Sequence, residues 1–213
     1  MVTGAVVAID GPAGAGKSTV GRAVAERLGL HYLDTGAMYR AVTFAALRRG
    51  IDPMDEEAVA ALSGTVELHI EDRNVFVDGV DATIEIRGRE VTSAVSAVAA
   101  NPVVRAELVR RQREWVAEHG GGVVEGRDIG SVVFPDATLK LYITASPHVR
   151  AERRVAEIGG DVDEVARSII DRDRKDSTRV ESPLVEASGA VVVDTSDLSI
   201  DAVVDQVLEM MPT

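Results

Sequence analysis

The chain has 213 residues, a formal net charge of −12 and no cysteine. Disulfides and thiolate metal sites are thereby excluded, and the acidic field disfavours a nucleic acid polymer as partner. Hydrophobic residues make up 46% and charged residues 27%, the balance of a soluble globular chain that buries roughly 70% of its unfolded surface.

The start of the chain shows no basic segment followed by an apolar one, and no apolar run reaches the ~18 residues of a membrane span. The expected location is therefore the cytoplasm, with no membrane partner. Val6 to Ile9 reads as a short buried strand, followed by Asp10 and a glycine-rich turn. Lys17 to Leu28 carries Val20, Ala23, Val24 and Leu28 at helical spacing and stops at Gly29. His31 to Leu33 is a second strand, and Tyr39 to Arg49 a helix ended by Gly50.

Val66 to Ile70 and Asn74 to Val77 alternate apolar and polar residues and lead into Asp78-Gly79, a hairpin signal. They predict a small antiparallel insert. Asn101-Pro102 opens a helix that runs to about His119, with Val104, Leu108 and Trp115 facing the core. Glu107/Arg111 and Arg110/Glu114 are i,i+4 pairs on it. Val123 to Glu125, Leu139 to Ile143 and Ala190 to Val193 read as further strands. A final helix presents Ile200, Val203, Val204, Val207 and Leu208 on one face. Strands separated by helices imply a parallel sheet covered on both faces.

Gly11-Pro12-Ala13-Gly14-Ala15-Gly16-Lys17-Ser18 matches G-x-x-x-x-G-K-[ST] between a strand and a helix. Glycines let the backbone curl until its N–H groups point at phosphate oxygens, and the helix N-terminus adds positive potential. In that pattern Lys17 reaches the β- and γ-phosphates and Ser18 ligates Mg²⁺. A GTPase is disfavoured, because Asn74 and Asn101 are followed by Val and Pro rather than by an N-K-x-D pattern. Kinases of shikimate or gluconate type stay open as readings of the turn.

An anionic acceptor needs fixed cations, and four stretches supply them. Asp34-Thr35-Gly36-Ala37-Met38-Tyr39-Arg40 follows a strand end, where open α/β sheets bind ligands; there Asp34 can hold a water on Mg²⁺. Arg105 lies one turn into the helix opened by Asn101. Gly126-Arg127-Asp128 follows another strand end. Asp128 and Asp194 are both strand-end acids that can be mistaken for metal ligands. Arg172, Asp176 and Arg179 stand at i, i+4 and i+7, one face of a helix. Arg150, Arg153 and Arg154 begin a polar stretch with Gly159-Gly160, suited to a lid. Arginine, planar and always charged, suits the offsetting of a phosphate dianion.

These stretches resemble bacterial cytidylate kinase over essentially the whole chain. To the residues above the resemblance adds Arg110-Arg111-Gln112-Arg113, Glu125 to Gly130, Val133 to Ala137 and Arg172 to Val185. It implies an α/β fold with a P-loop NTPase-type parallel sheet flanked by helices, a small antiparallel insert and a short lid. The expected division is a core of residues 1–62 and 98–213, an insert of 63–97 and a lid of 153–175. The implied reaction moves the γ-phosphoryl group of ATP to CMP or dCMP, with Mg²⁺, in a monomer.

The implied roles follow residue by residue. Gly11, Pro12, Ala13, Gly14, Ala15, Gly16, Lys17, Ser18 and Thr19 bind ATP, with Arg153 near it. Ser96, Arg105 and Asp128 contact cytosine. Thr35, Tyr39, Arg40, Arg127 and Arg179 serve the acceptor and its phosphate, and Arg172 and Asp176 reach the sugar. Ser18 and Asp34 serve the metal. Lys17, Arg127 and Arg179 are the expected catalytic groups.

Overall fold

The computed structural model describes residues 4–71, 73–178 and 183–212. The chain divides into two compact units, Met1–Tyr32 with Val116–Thr213, and Leu33–Trp115.

The first unit is built on a five-stranded sheet in the order β2-β6-β1-β7-β8. The strands are β1 (Val6–Asp10), β2 (Tyr32–Asp34), β6 (Gly122–Glu125), β7 (Leu139–Thr144) and β8 (Val191–Asp194). β1 runs parallel to both neighbours, pairing Val7 with Val123 on one side and with Leu139 on the other. β8 is parallel to β7. Because β1 is central it is apolar on both faces, and Val7, Ala8 and Ile9 are fully buried.

Helix α1 (Lys17–Leu28) starts at Gly16 and ends at Gly29, both in the left-handed conformation. Val20 and Val24 of α1 join Val123, Leu141, Ile143 and Val193 in one core. Helix α8 (Ile200–Glu209) closes that core with Val203, Val204 and Val207, whereas Ile200, expected on the same face, is half exposed. The stretch after Arg150, expected as a polar lid, is two helices packed on each other: α6 (Pro147–Ile158) and α7 (Val162–Ser177). Gly159 and Gly160 make the turn between them, both at positive φ.

The second unit holds α2 (Thr35–Arg48), α3 (Glu56–Ser63), a sheet of β3 (Leu68–Glu71), β4 (Asn74–Val77) and β5 (Val80–Asp81), helix α4 (Arg89–Val98) and most of α5 (Pro102–Glu118). Helix α2 begins four residues earlier than apolar spacing predicted, because Asp34 caps it by accepting from the Ala37 N–H at 3.0 Å. The hairpin turn falls at Asp78-Gly79 as expected, both at positive φ. Trp115 is only half-buried; the buried face of α5 in this unit is Val104, Leu108 and Gln112.

One ion-pair cluster ties α5 to α3. Glu107 accepts from Arg110 at 2.7 Å and from Arg111 at 2.6 Å. Arg111 also donates to the carbonyls of Ser63 and Val66, each at 2.9 Å. The hydrogen bond from Arg110, helped by Arg111, lowers the Glu107 carboxyl from 4.5 to about 2. A carboxyl depressed in the fold stabilises it above its unfolded value, and that stabilisation is lost as pH falls from about 4.5 through about 2. In urea unfolding between pH 5 and pH 3, Glu107→Gln is therefore expected to flatten the acid loss of stability. Arg111→Ala is expected to cost ~1–3 kcal/mol at neutral pH, since it leaves two carbonyls without their donor. Identical acid slopes for wild type and Glu107→Gln would contradict this account.

Candidate active site

The end of β1 dictates the first feature. Gly11 takes φ 143°, and a Cβ there would lie 1.9 Å from the Ile143 carbonyl oxygen, so only glycine lets the chain leave the sheet here. The turn from Gly11 to Gly16 directs its carbonyls to the protein, and most are met by side chains. Arg127 Nη1 donates to Gly11 O at 3.1 Å and Lys17 Nζ to Pro12 O at 2.9 Å. Arg150 Nη1 donates to Ala13 O at 3.1 Å and Thr195 Oγ1 to Ala15 O at 3.0 Å. Gly16 O accepts from Val20 N, the first bond of α1.

These donors are tied to one another by acids and hydroxyls. Arg150 also pairs with Asp173 of α7. Arg127 lies 3.2 Å from Asp176 and 3.8 Å from Asp173. Asp176 is 1% exposed, and Arg172 stands 4.0 Å away from it, one helical turn back. The i, i+4 reading of Arg172 and Asp176 thus holds on α7; Arg179 lies outside the described residues. Arg153 donates to the Thr195 hydroxyl at 3.0 Å and to its carbonyl at 2.7 Å. It is also the nearest group to Gly16, 3.7 Å from where a Cβ would stand. Arg153 therefore lies beside the turn, where an ATP-binding role was expected for it.

Ser18, second residue of α1, donates to Glu125 Oε1 at 2.7 Å. Glu125 ends β6 and is buried beside β1. Sequence reading treated Glu125 only as part of a motif. The signal that could have found it was an acid closing an otherwise apolar strand. A hydroxyl and a carboxylate in contact are hard oxygen donors that suit Mg²⁺. Among the described residues no group of three or more His, Cys, Asp and Glu forms a metal cage. The pair would therefore need the oxygens of a bound triphosphate to complete a shell.

The strand-end acid Asp128 is 5% exposed, and its carbonyl accepts from the Val132 and Val133 N–H groups of a π-helical turn, Ile129–Val133. Asp194, the other strand-end acid, is exposed on the surface. Its bonds from Ser196 hold its carboxyl below the usual range. Sequence reading also passed over Asp10, which closes β1 and is 2% exposed. Its Oδ1 accepts from Ile129 N and its Oδ2 from Gly130 N, each at 2.7 Å. Burial pushes its carboxyl up to about 6 against the pull of those two amides.

In the second unit, Tyr39 and Arg105 come together. The Arg105 guanidinium sits 5.6 Å from the ring centroid and donates to Ala99 O at 3.3 Å. At 6% exposure it is no surface arginine. Arg40 donates to Ile86 O at 3.0 Å and to Thr92 Oγ1 at 2.9 Å, bracing the start of α4. Ser96 is half-buried on α4, and Thr35 is buried at the first turn of α2. Asp34 uses one carboxylate oxygen as the cap of α2.

Residues 7–213 match the sequence profile of the family described as cytidylate kinase. A cytidylate kinase of Limosilactobacillus fermentum is 49% identical over 216 residues, covering 97% of this chain and 95% of the relative. Another, of Mycolicibacterium paratuberculosis, is 49% identical over 220 residues, covering 99% and 96%. Among solved structures, a gluconokinase of Sinorhizobium meliloti shares the fold at TM-score 0.52 and 16% identity, covering 97% of this chain and 91% of its own. The expected P-loop-type parallel sheet flanked by helices is thus present, and with a profile match over nearly its full length the chain belongs to the cytidylate kinase family.

Proposed function

We propose that the protein transfers the γ-phosphoryl group of ATP to CMP or dCMP, giving ADP and CDP or dCDP. Within the structure, one observation carries this reading. Lys17 and Arg127 bond adjacent carbonyls of the same glycine turn, and Arg127 is followed directly by the buried acid Asp128. Family membership supports it.

The chemistry asks for positioning and charge more than for proton transfer. The transferred group passes through a loose transition state with charge on its equatorial oxygens. The acceptor phosphate is already an anionic nucleophile and needs no general base. Gly11 to Thr19 would bind ATP, with Arg153 beside the turn. Lys17 would leave Pro12 O for the β- and γ-phosphates. Arg127 would face the acceptor phosphate with Tyr39, Arg40, Thr35 and Arg179. Arg172 and Asp176 would serve the sugar, and Ser96, Arg105 and Asp128 the base. Mg²⁺ would be held at Ser18, with Glu125 and a water on Asp34 as supporting oxygens, and would neutralise the β,γ-phosphate charge. In this reading residues 63–97 form the acceptor-binding insert and residues 153–175 the lid, over a core of 1–62 and 98–213.

The acidic net charge supports a small nucleotide rather than a nucleic acid polymer as partner. No helix among the described residues is long and apolar enough to cross a membrane. A monomer acting in the cytoplasm, without a membrane partner, belongs to the same proposal.

The reading is checked by ADP production from ATP-Mg²⁺ against CMP, dCMP, UMP, AMP and shikimate. CMP or dCMP is expected to give the highest kcat/KM; a preference for shikimate or AMP would overturn it. Lys17→Ala is expected to lower kcat ~10²–10³-fold while the variant still folds, since it removes a charge aimed at the transferred group. Turnover near wild type in that variant would contradict the scheme. Asp128→Asn is expected to narrow the CMP-over-UMP preference, because an acid that accepts from an exocyclic amine distinguishes cytosine from uracil. An unchanged ratio would remove Asp128 from the base site.

A further inference from the structure

The loop Gly126–Asp128 holds two of the groups on which the proposed acceptor site depends, yet its own backbone is held in place by a residue outside it. The loop runs from β6 into the π-helical turn Ile129–Val133. Helical turns of this kind are short and leave their first amides without internal partners. Those of Ile129 and Gly130 both point at Asp10, and both bonds are short, 2.7 Å.

We propose that Asp10 is a positioning residue for the acceptor side of the reaction: it caps the turn after Asp128 with both carboxylate oxygens and so fixes Arg127 and Asp128 against the glycine turn. The inference rests on the proposed reading of those two residues.

Three features support it. Asp10 is the last residue of the central strand, which is paired with a strand on each side, and Gly126 N bonds to Ile9 O one residue before it, at 2.9 Å. Two consecutive residues of β1 therefore hold both ends of the three-residue loop. Asp10 also precedes Gly11, whose carbonyl accepts from Arg127, so the loop and the turn are registered through adjacent residues. Finally, a carboxylate is the side chain of this length that offers two separate acceptor oxygens, one for each amide. Asn in its place would turn an NH₂ toward one of the amides. Burial at 2% exposure makes a purely surface role impossible, and Asp10 keeps its place although burial penalises its charge.

Asp10→Asn separates positioning from bulk stability. If Asp10 orients the loop, the variant is expected to raise KM for CMP ~10-fold or more and to narrow the CMP:UMP ratio of kcat/KM ~10-fold, while KM for ATP rises by a clearly smaller factor, through the Arg127 bond to Gly11 O alone. Unchanged CMP kinetics in a folded variant would overturn the proposal. Equal rises in both KM values would do the same, since they would mark a general loosening. Should the variant fail to fold, amide hydrogen exchange of the wild-type protein decides: Ile129 and Gly130 N–H are expected to be strongly protected, and exchange as fast as in exposed loops would overturn the inference. Asp128→Asn run alongside distinguishes the two layers. A shifted ratio there with none in Asp10→Asn sinks the inference alone. No shift in Asp128→Asn sinks the base-site reading and leaves the KM split, through Arg127, as the test of Asp10.

Discussion

A loop that turns its N–H groups inward to meet phosphate must turn its carbonyls outward, and buried carbonyls require donors. That requirement organises the nucleotide side of this protein. Side chains from four separate stretches reach the carbonyls of Gly11, Pro12, Ala13 and Ala15, namely Arg127, Lys17, Arg150 and Thr195. Three of the four are cations, so the same bonds that shape the turn also raise its positive potential. In a chain of net charge −12, three cations are thereby gathered at the turn that would meet a polyanion.

Cations gathered this closely repel one another unless acids separate them. Asp173 and Asp176 of α7 perform that task for Arg150, Arg127 and Arg172. Partly buried pairs of this sort define geometry more than they add stability, and removing one partner is the costly event, on the order of 3–5 kcal/mol. Helix α7 is thus not a decorated surface helix. Its acids aim the arginines at the turn, and the residues expected at the acceptor sugar are on the same helix. The second unit shows a smaller example, where the Arg105 guanidinium stands against the Tyr39 ring and donates to Ala99 O.

Much of this was legible in the sequence, because periodicity and glycine placement report local structure. The glycine turn, α1, the Asp78-Gly79 hairpin and the apolar face of α5 at Val104 and Leu108 all follow from residues close together in the chain. The i, i+4 pairs of Glu107/Arg111 and Arg172/Asp176 follow in the same way. What escaped was set by contacts over a hundred residues or more. Ser18 meets Glu125, Asp10 meets Ile129 and Gly130, and Arg150 and Thr195 meet the turn. Spacing carries no trace of such pairings. Trp115 misled for a related reason: it stands beside the buried line of α5, which runs through Val104, Leu108, Gln112 and Val116.

The central claim is that the outward carbonyls of Gly11, Ala13 and Ala15 are held by side chains so that the amides of the turn stay ordered for the triphosphate. Thr195 tests it most directly, because its buried, uncharged hydroxyl accepts from Arg153 and lies closer to Ala15 O, at 3.0 Å, than to its other acceptor, Thr144 O, at 3.2 Å. Calorimetric titration of wild type and Thr195→Val with a non-hydrolysable ATP analogue and Mg²⁺ should show Kd weakened ~10-fold in the variant, the effect of roughly one buried hydrogen bond and its dependent arginine. Equal Kd values for the two proteins would mean that the carbonyl caps are incidental and that the turn keeps its shape without them.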